Sequence, residues 1–235
     1  MIDTGVGLWG LKDTAEGLTD LPLTVILTHA HCDHAGGAGE FPEVYLHPED
    51  IPLLKIHGLE IRMGYAAVMG GAGLSEEDFV PPFEGVLKPL SHGQIFDLGG
   101  LTAEIIHVSG HTKGCCSVLF PEERSILFGD ACNVNTLVMD DTSTTISEYK
   151  KSLERLKTYE DRYDTVYYSH GPAVGPRECL DDNLELCGRI LEGTDDGVPC
   201  EFMGKAAFRA AESREDFSRL DGKHGNIVYS QLTKK

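Results

Sequence analysis

The chain has 235 residues, 41% hydrophobic and 25% charged, a globular composition with enough length for one sizeable core. Twenty lysines and arginines against 38 acids give a net charge of −18, a field that repels phosphate backbones and excludes nucleic acid as a partner. No apolar run approaches the ~20 residues that span a bilayer, and residues 1–20 carry no signal pattern, so the sequence predicts a soluble, cytoplasmic protein with no membrane contact.

The predicted elements begin with "PLTVILT" (22–28), a β-branched run that reads as a buried strand. It runs straight into "HAHCDH" (29–34), followed by glycines at 36, 37 and 39. "VYLHP" (44–48) predicts a strand stopped by Pro48, and "HPEDIPLLKIHG" (47–58) a short helix ended by Gly58. Between 58 and 94 the periodicity fades into glycine and proline, which predicts either a lid over a site or an irregular insertion. "LTAEIIHVS" (101–109) and "RSILFGD" (124–130) read as strands. "SEYKKSLERLKTYED" (147–161) is helical, with Ser147 as its predicted cap. "DTVYYSHG" (164–171) is a strand ending in histidine, residues 177–192 form a helix stopped by Gly193, and "DGKHGNIVYS" leads into a C-terminal strand. Strands alternating with helices, with polar residues at the strand exits, define an α/β layered fold, read as one domain over residues 1–235.

Three imidazoles and a carboxylate in six positions carry a heavy desolvation cost unless a cation offsets it. In an extended turn alternate residues share a face, so His29 and His31 can address one locus, and Asp33 and His34 a second. Neutral imidazole and carboxylate suit a borderline divalent metal. Three later strand exits add the same donor types, in "SGHTKG" (His111), "LFGDAC" (Asp130) and "YSHGP" (His170). The seven cysteines, Cys32 and Cys132 included, read as buried free thiols rather than ligands.

The ordered set His29-Ala-His31-Cys-Asp33-His34, Gly110-His111-Thr112, Gly129-Asp130 and Ser169-His170-Gly171 resembles the metallo-β-lactamase-fold hydrolase superfamily, nearest its glyoxalase II-like branch. The resemblance runs from "IDTG" at 2–5 to about residue 172. It implies a four-layer αββα sandwich and a two-metal centre. His29, His31 and His111 would hold one ion, Asp33, His34 and His170 the other, and Asp130 would bridge them. Zinc is the usual metal in the family, with iron or manganese in relatives. The implied activity is hydrolysis of a small ester, thioester, amide or phosphoryl substrate by hydroxide shared between the ions, with Asp33 also carrying a proton.

Departures from the family pattern narrow the reading. The family's usual strands do not precede "IDTG" in this sequence: either the domain lacks them or the true start lies upstream. A real gap would leave an unpaired sheet edge or exposed apolar face that favours a homodimer. Asp130 argues against β-lactamases that use cysteine in the second site. "GDACNVN" lacks the tyrosine of the lactonases, and the charge disfavours the nucleases. Asp3 reads either as a support for the ligands or as a turn cap. His107 reads as packed or hydrogen-bonded beside the ligands, and His224 as a turn residue at the site rim. His47, His57 and His92 are assigned no role. Two other functions fit the same residues: a mononuclear-iron oxidoreductase of the persulfide dioxygenase type, and a non-catalytic scaffold stabilised by metal.

Overall fold

Asp3 stands at φ 57°, in the left-handed region that aspartate tolerates, and its Oδ1 accepts the Thr28 N–H at 2.7 Å. That bond explains why "PLTVILT" is not a full strand. The run is extended and makes single parallel bridges through Ile26 to Ile2 and Tyr45, but the carboxylate takes the next amide and the ladder stops. The computed structural model describes residues 1–71 and 73–235; Ala72, inside the 58–94 segment, lies outside the described residues.

The described chain divides into two compact units, Met1–Leu90 and Ser91–Lys235. The first contains α1 (Leu11–Gly17), α2 (Cys32–Ala35), β1 (Glu43–Leu46), α3 (Ile51–Ile56), α4 (Leu59–Val68) and β2 (Val86–Pro89). β1 and β2 pair in parallel, Glu43 opposite Val86. Val25, Leu27, Ala35, Phe41, Val44 and Leu46 form this unit's buried core. The 58–94 segment is more regular than its sequence suggests, since α4 occupies ten residues of it. Arg62 on α4 is buried and donates to Gly36 O and Val80 O, both at 2.8 Å. A hydrophobic reading of the sequence cannot find a helix anchored by a buried arginine.

The second unit contains β3 (Ile95–Asp97), β4 (Thr102–His107), β5 (Cys116–Phe120), β6 (Ser125–Leu127), β7 (Thr136–Val138), α5 (Ile146–Lys157), β8 (Thr165–Tyr167), β9 (Val174–Gly175), α6 (Cys179–Glu192), β10 (Val198–Phe202), β11 (Lys205–Arg209) and β12 (Ile227–Tyr229). One sheet runs β3-β4-β5-β6-β8-β9 and a second β10-β11-β12-β7. Within the first, β6 and β8 are parallel and α5 lies in their connection. Ile146, Tyr149, Leu153 and Leu156 of α5 and Leu180, Leu186 and Ile190 of α6 join one core with Ile106, Leu119 and Ile126 of the sheet. α5 starts slightly earlier than predicted. Thr145, not Ser147, is the cap: its Oγ1 accepts the Glu148 N–H at 3.3 Å, and Glu148 Oε2 accepts the Thr145 N–H at 3.0 Å. α6 ends at Gly193 in the left-handed conformation, φ 70°. Among the described residues no helix is long and apolar enough to cross a membrane.

Candidate metal centre

In the first unit the ligand turn is held by hydrogen bonds from both sides. Thr28 Oγ1 donates to Asp3 Oδ2 at 2.8 Å and lies 3.1 Å from His29 Nδ1. His34 Nδ1 lies 2.8 Å from the same Asp3 oxygen. This network assigns the Nδ1 proton of both histidines to the Thr28–Asp3 side and leaves each Nε2 lone pair pointing away. Asp3 thus serves the turn backbone at Thr28 and the His34 ring together.

Two further residues fix the turn, and neither has a sequence signature that separates it from a surface helix residue. Asp50 is buried and its Oδ2 accepts the Ala30 N–H at 3.0 Å. His57 Nδ1 accepts the Cys32 N–H at 3.0 Å, and its ring stacks on His31 with centroids 5.2 Å apart. The sequence assigns His57 no role because its spacing from the motif shows nothing of this contact. The turn closes into α2, where the Ala35 N–H bonds His31 O at 2.9 Å. Cys32 faces inward, and burial, then the neighbouring Asp33 charge, push its thiol up to about 11. It therefore stays a neutral thiol at physiological pH.

In the second unit, strand register places the donors. Leu127 of β6 pairs with Tyr167 of β8, and Asp130 and His170 each lie three residues beyond that pair. They meet with Asp130 Oδ2 3.2 Å from His170 Nε2. The same oxygen lies 3.6 Å from His111 Nε2. His111 Nδ1 is bonded to Leu137 O at 2.8 Å, so Nε2 is again the outward atom. Gly110 before it packs against Tyr149; a Cβ there would sit 2.1 Å from the ring. His111 and Asp130 are buried, whereas the His170 side chain is 46% exposed.

His107 Nε2 lies 2.8 Å from Lys113 O and braces the loop that carries His111. His224 is exposed, and its backbone N–H bonds Asp182 Oδ2 at 2.7 Å. The tie is structural and leaves its ring at the surface. His47 caps the turn before α3 by accepting the Glu49 N–H.

The donor set fits divalent metal. Two nitrogen or oxygen atoms sharing a tetrahedral ion at ~2.0–2.1 Å lie roughly 3.3 Å apart. His29 Nε2 and His31 Nδ1 are 3.1 Å apart, and Asp33 Oδ2 and His34 Nε2 3.5 Å. The Asp130 contacts, at 3.2 and 3.6 Å, fall in the same range. His29, His31, Asp33, His34, His111, Asp130 and His170 all belong to side-chain groups able to hold a metal ion.

The family model of the metallo-beta-lactamase superfamily matches residues 1–170, and the chain belongs to that superfamily. Among curated relatives, an uncharacterized protein of Aquifex aeolicus is 27% identical over 176 residues, which cover 72% of this chain and 69% of that protein. The acyl-coenzyme A thioesterase MBLAC2 of Gallus gallus is 27% identical over 184 residues, 69% of this chain and 64% of the thioesterase. The chain thus spans less than two thirds of the thioesterase's length. Its α/β fold is shared with a metallo-beta-lactamase family protein of Thermus thermophilus, at 23% identity and TM-score 0.57 over 84% of this chain and 74% of that one.

Proposed function

We propose that the chain is a metal-dependent hydrolase of a small thioester or ester, with a thioester the favoured substrate. In this reading His29, His31 and His111 hold one divalent ion, Asp33, His34 and His170 a second, and Asp130 serves both. The family model covers residues 1–170, and all seven of these residues lie within that span, which supports reading them as one ligand set. The thioester preference draws on the acyl-coenzyme A thioesterase at 27% identity.

The observation that carries the reading is Asp130 Oδ2 set 3.2 Å from His170 Nε2 and 3.6 Å from His111 Nε2. One carboxylate oxygen facing two outward imidazole nitrogens is an arrangement that a cation stabilises. Bound divalent metal, zinc by the family's habit, would lower the pKa of water towards ~7 and polarise the substrate carbonyl. Asp3, through Thr28 and directly, holds the His29 and His34 rings so that their Nε2 atoms face outward. Asp33, whose side chain is 15% exposed, takes a proton from the attacking water. As the water oxygen bonds to the acyl carbon and the carbon–sulfur bond breaks, Asp33 returns that proton to the leaving thiolate.

The test is elemental analysis of protein purified without added metal, followed by ester, thioester, lactam and phosphodiester substrates. We expect two divalent ions per chain and thioester turnover. Asp33→Ala lowers kcat by about 10²–10⁴-fold, and Asp130→Ala lowers metal content as well. A single iron per chain with sulfur-dependent oxygen uptake overturns the hydrolase in favour of a dioxygenase. Metal without turnover of any substrate leaves only the scaffold.

A further inference from the structure

The first unit contains a cavity of about 530 Å³ lined by Trp9, Leu59, Arg62, Glu76, Glu77, Phe79, Val80, Pro81 and Pro82. Its wall is a short two-stranded contact: Leu8 bridges Phe79, and the Val80 N–H bonds Gly7 O at 2.8 Å. This wall is built on the ligand turn. Arg62 joins Val80 O to Gly36 O, two residues past His34. Pro81 packs so closely on Gly39 that a Cβ there would lie 2.1 Å from its carbonyl oxygen. The groove is thus tied by hydrogen bonds to the turn that carries His29–His34, and the ligand assignment leaves it unused.

The chemistry of the walls selects it. Trp9, Leu59, Phe79, Val80, Pro81 and Pro82 offer apolar surface, and Trp9 leaves 58% of itself to solvent, an expensive exposure for the largest side chain. The polar residues argue against an ion. The terminal nitrogens of Arg62 already donate to two carbonyls, and its buried positive charge disfavours a cation in the floor. Glu76 and Glu77 stand exposed on the rim beside Asp78, in a chain of net charge −18, and repel an anion.

We propose that this groove holds the uncharged apolar acyl chain of the substrate, an assignment that rests on the hydrolase reading above. The volume suits a medium-length chain and lies within the ordinary 300–1,000 Å³ of ligand sites. An anionic leaving group is excluded from the groove by its rim.

The chain has a single tryptophan, so fluorescence of the as-purified protein reports the groove without any turnover. Three probes of equal length are titrated: octanamide, octanoate and octyltrimethylammonium. Octanamide shifts the Trp9 emission to the blue and saturates, and affinity rises about fourfold per added methylene. Leu59→Gln keeps the tryptophan and weakens octanamide about tenfold. The double change Glu76→Gln, Glu77→Gln tightens octanoate severalfold and leaves octanamide unchanged. Among thioesters, octanoyl then outpaces acetyl in kcat/KM, and Leu59→Gln erases that advantage. A saturable response only to the ammonium probe assigns the groove to a cation, and one stronger for octanoate than octanamide assigns it to an anion; either overturns the proposal, as does no response. An active thioesterase blind to octanamide sinks the groove alone. Octanamide binding in a protein inert to every ester and thioester sinks the hydrolase reading instead.

Discussion

Asp3 uses both carboxylate oxygens, one for the Thr28 amide and one for the Thr28 hydroxyl and the His34 ring. Such outer partners fix ligand orientation, and their loss commonly lowers metal affinity 10–100-fold. Asp3→Asn tolerates the left-handed backbone and can still accept the Thr28 N–H, but it has no charge to share with His34. It is expected to weaken metal binding by that factor, read by competition with a chelating dye, while circular dichroism stays unchanged. Equal affinity in wild type and variant would reduce Asp3 to a turn cap. The metal-ligating residue types were legible in the sequence because their chemistry is costly anywhere else. Asp50 and His57 were not, because each reaches the turn from twenty or more residues away by bonding a backbone amide.

Helices α5 and α6 were legible because their apolar residues recur at helical spacing and all face one core. The hairpin of β10 and β11 was not. Its turn puts Met203 and Gly204 at φ 49° and 76°, the pair of positive angles that asparagine–glycine usually announces, and Met-Gly announces nothing. The cap of α5 was missed by two residues because both Ser147 and Thr145 are good cap types. Thr145→Ala is expected to cost about 1 kcal/mol in chemical denaturation, and Ser147→Ala close to nothing. The Glu148 carboxyl is held below its ordinary value of 4.5, first by the Thr145 amide and then by its hydroxyl. Its contribution is therefore full above pH 4.5 and lost as the pH falls through the lower folded value. A Glu148→Gln variant should match wild type in acid and fall behind it near neutrality.

Each unit has its own buried core, and acids outnumber bases 38 to 20 across the whole chain. Self-repulsion of that charge is screened as the Debye length falls from ~30 Å at 0.01 M to ~8 Å at 0.15 M salt. The melting temperature should rise by about 2–4 °C over that range, the shift expected for 1 kcal/mol in a chain of this size; a fall would show that attractive ion pairs dominate. If the proposed ions bind the folded chain, a chelator lowers the melting temperature, and divalent cation at a hundred times its Kd restores roughly 2.7 kcal/mol.

Because Leu127 and Tyr167 are paired, Asp130 and His170 are positioned by counting from that rung and not by the path between them. Surface turns within 131–164 can therefore lengthen, shorten or accept a foreign loop and still deliver both donors, provided that β7 and α5, which pack against the His111 loop, keep their places. One residue added at 128–129 or 168–169 moves a donor out of step with the Leu127–Tyr167 rung. Grafting and family divergence should respect that asymmetry: generous variation in the crossover, and fixed length in the two short exits.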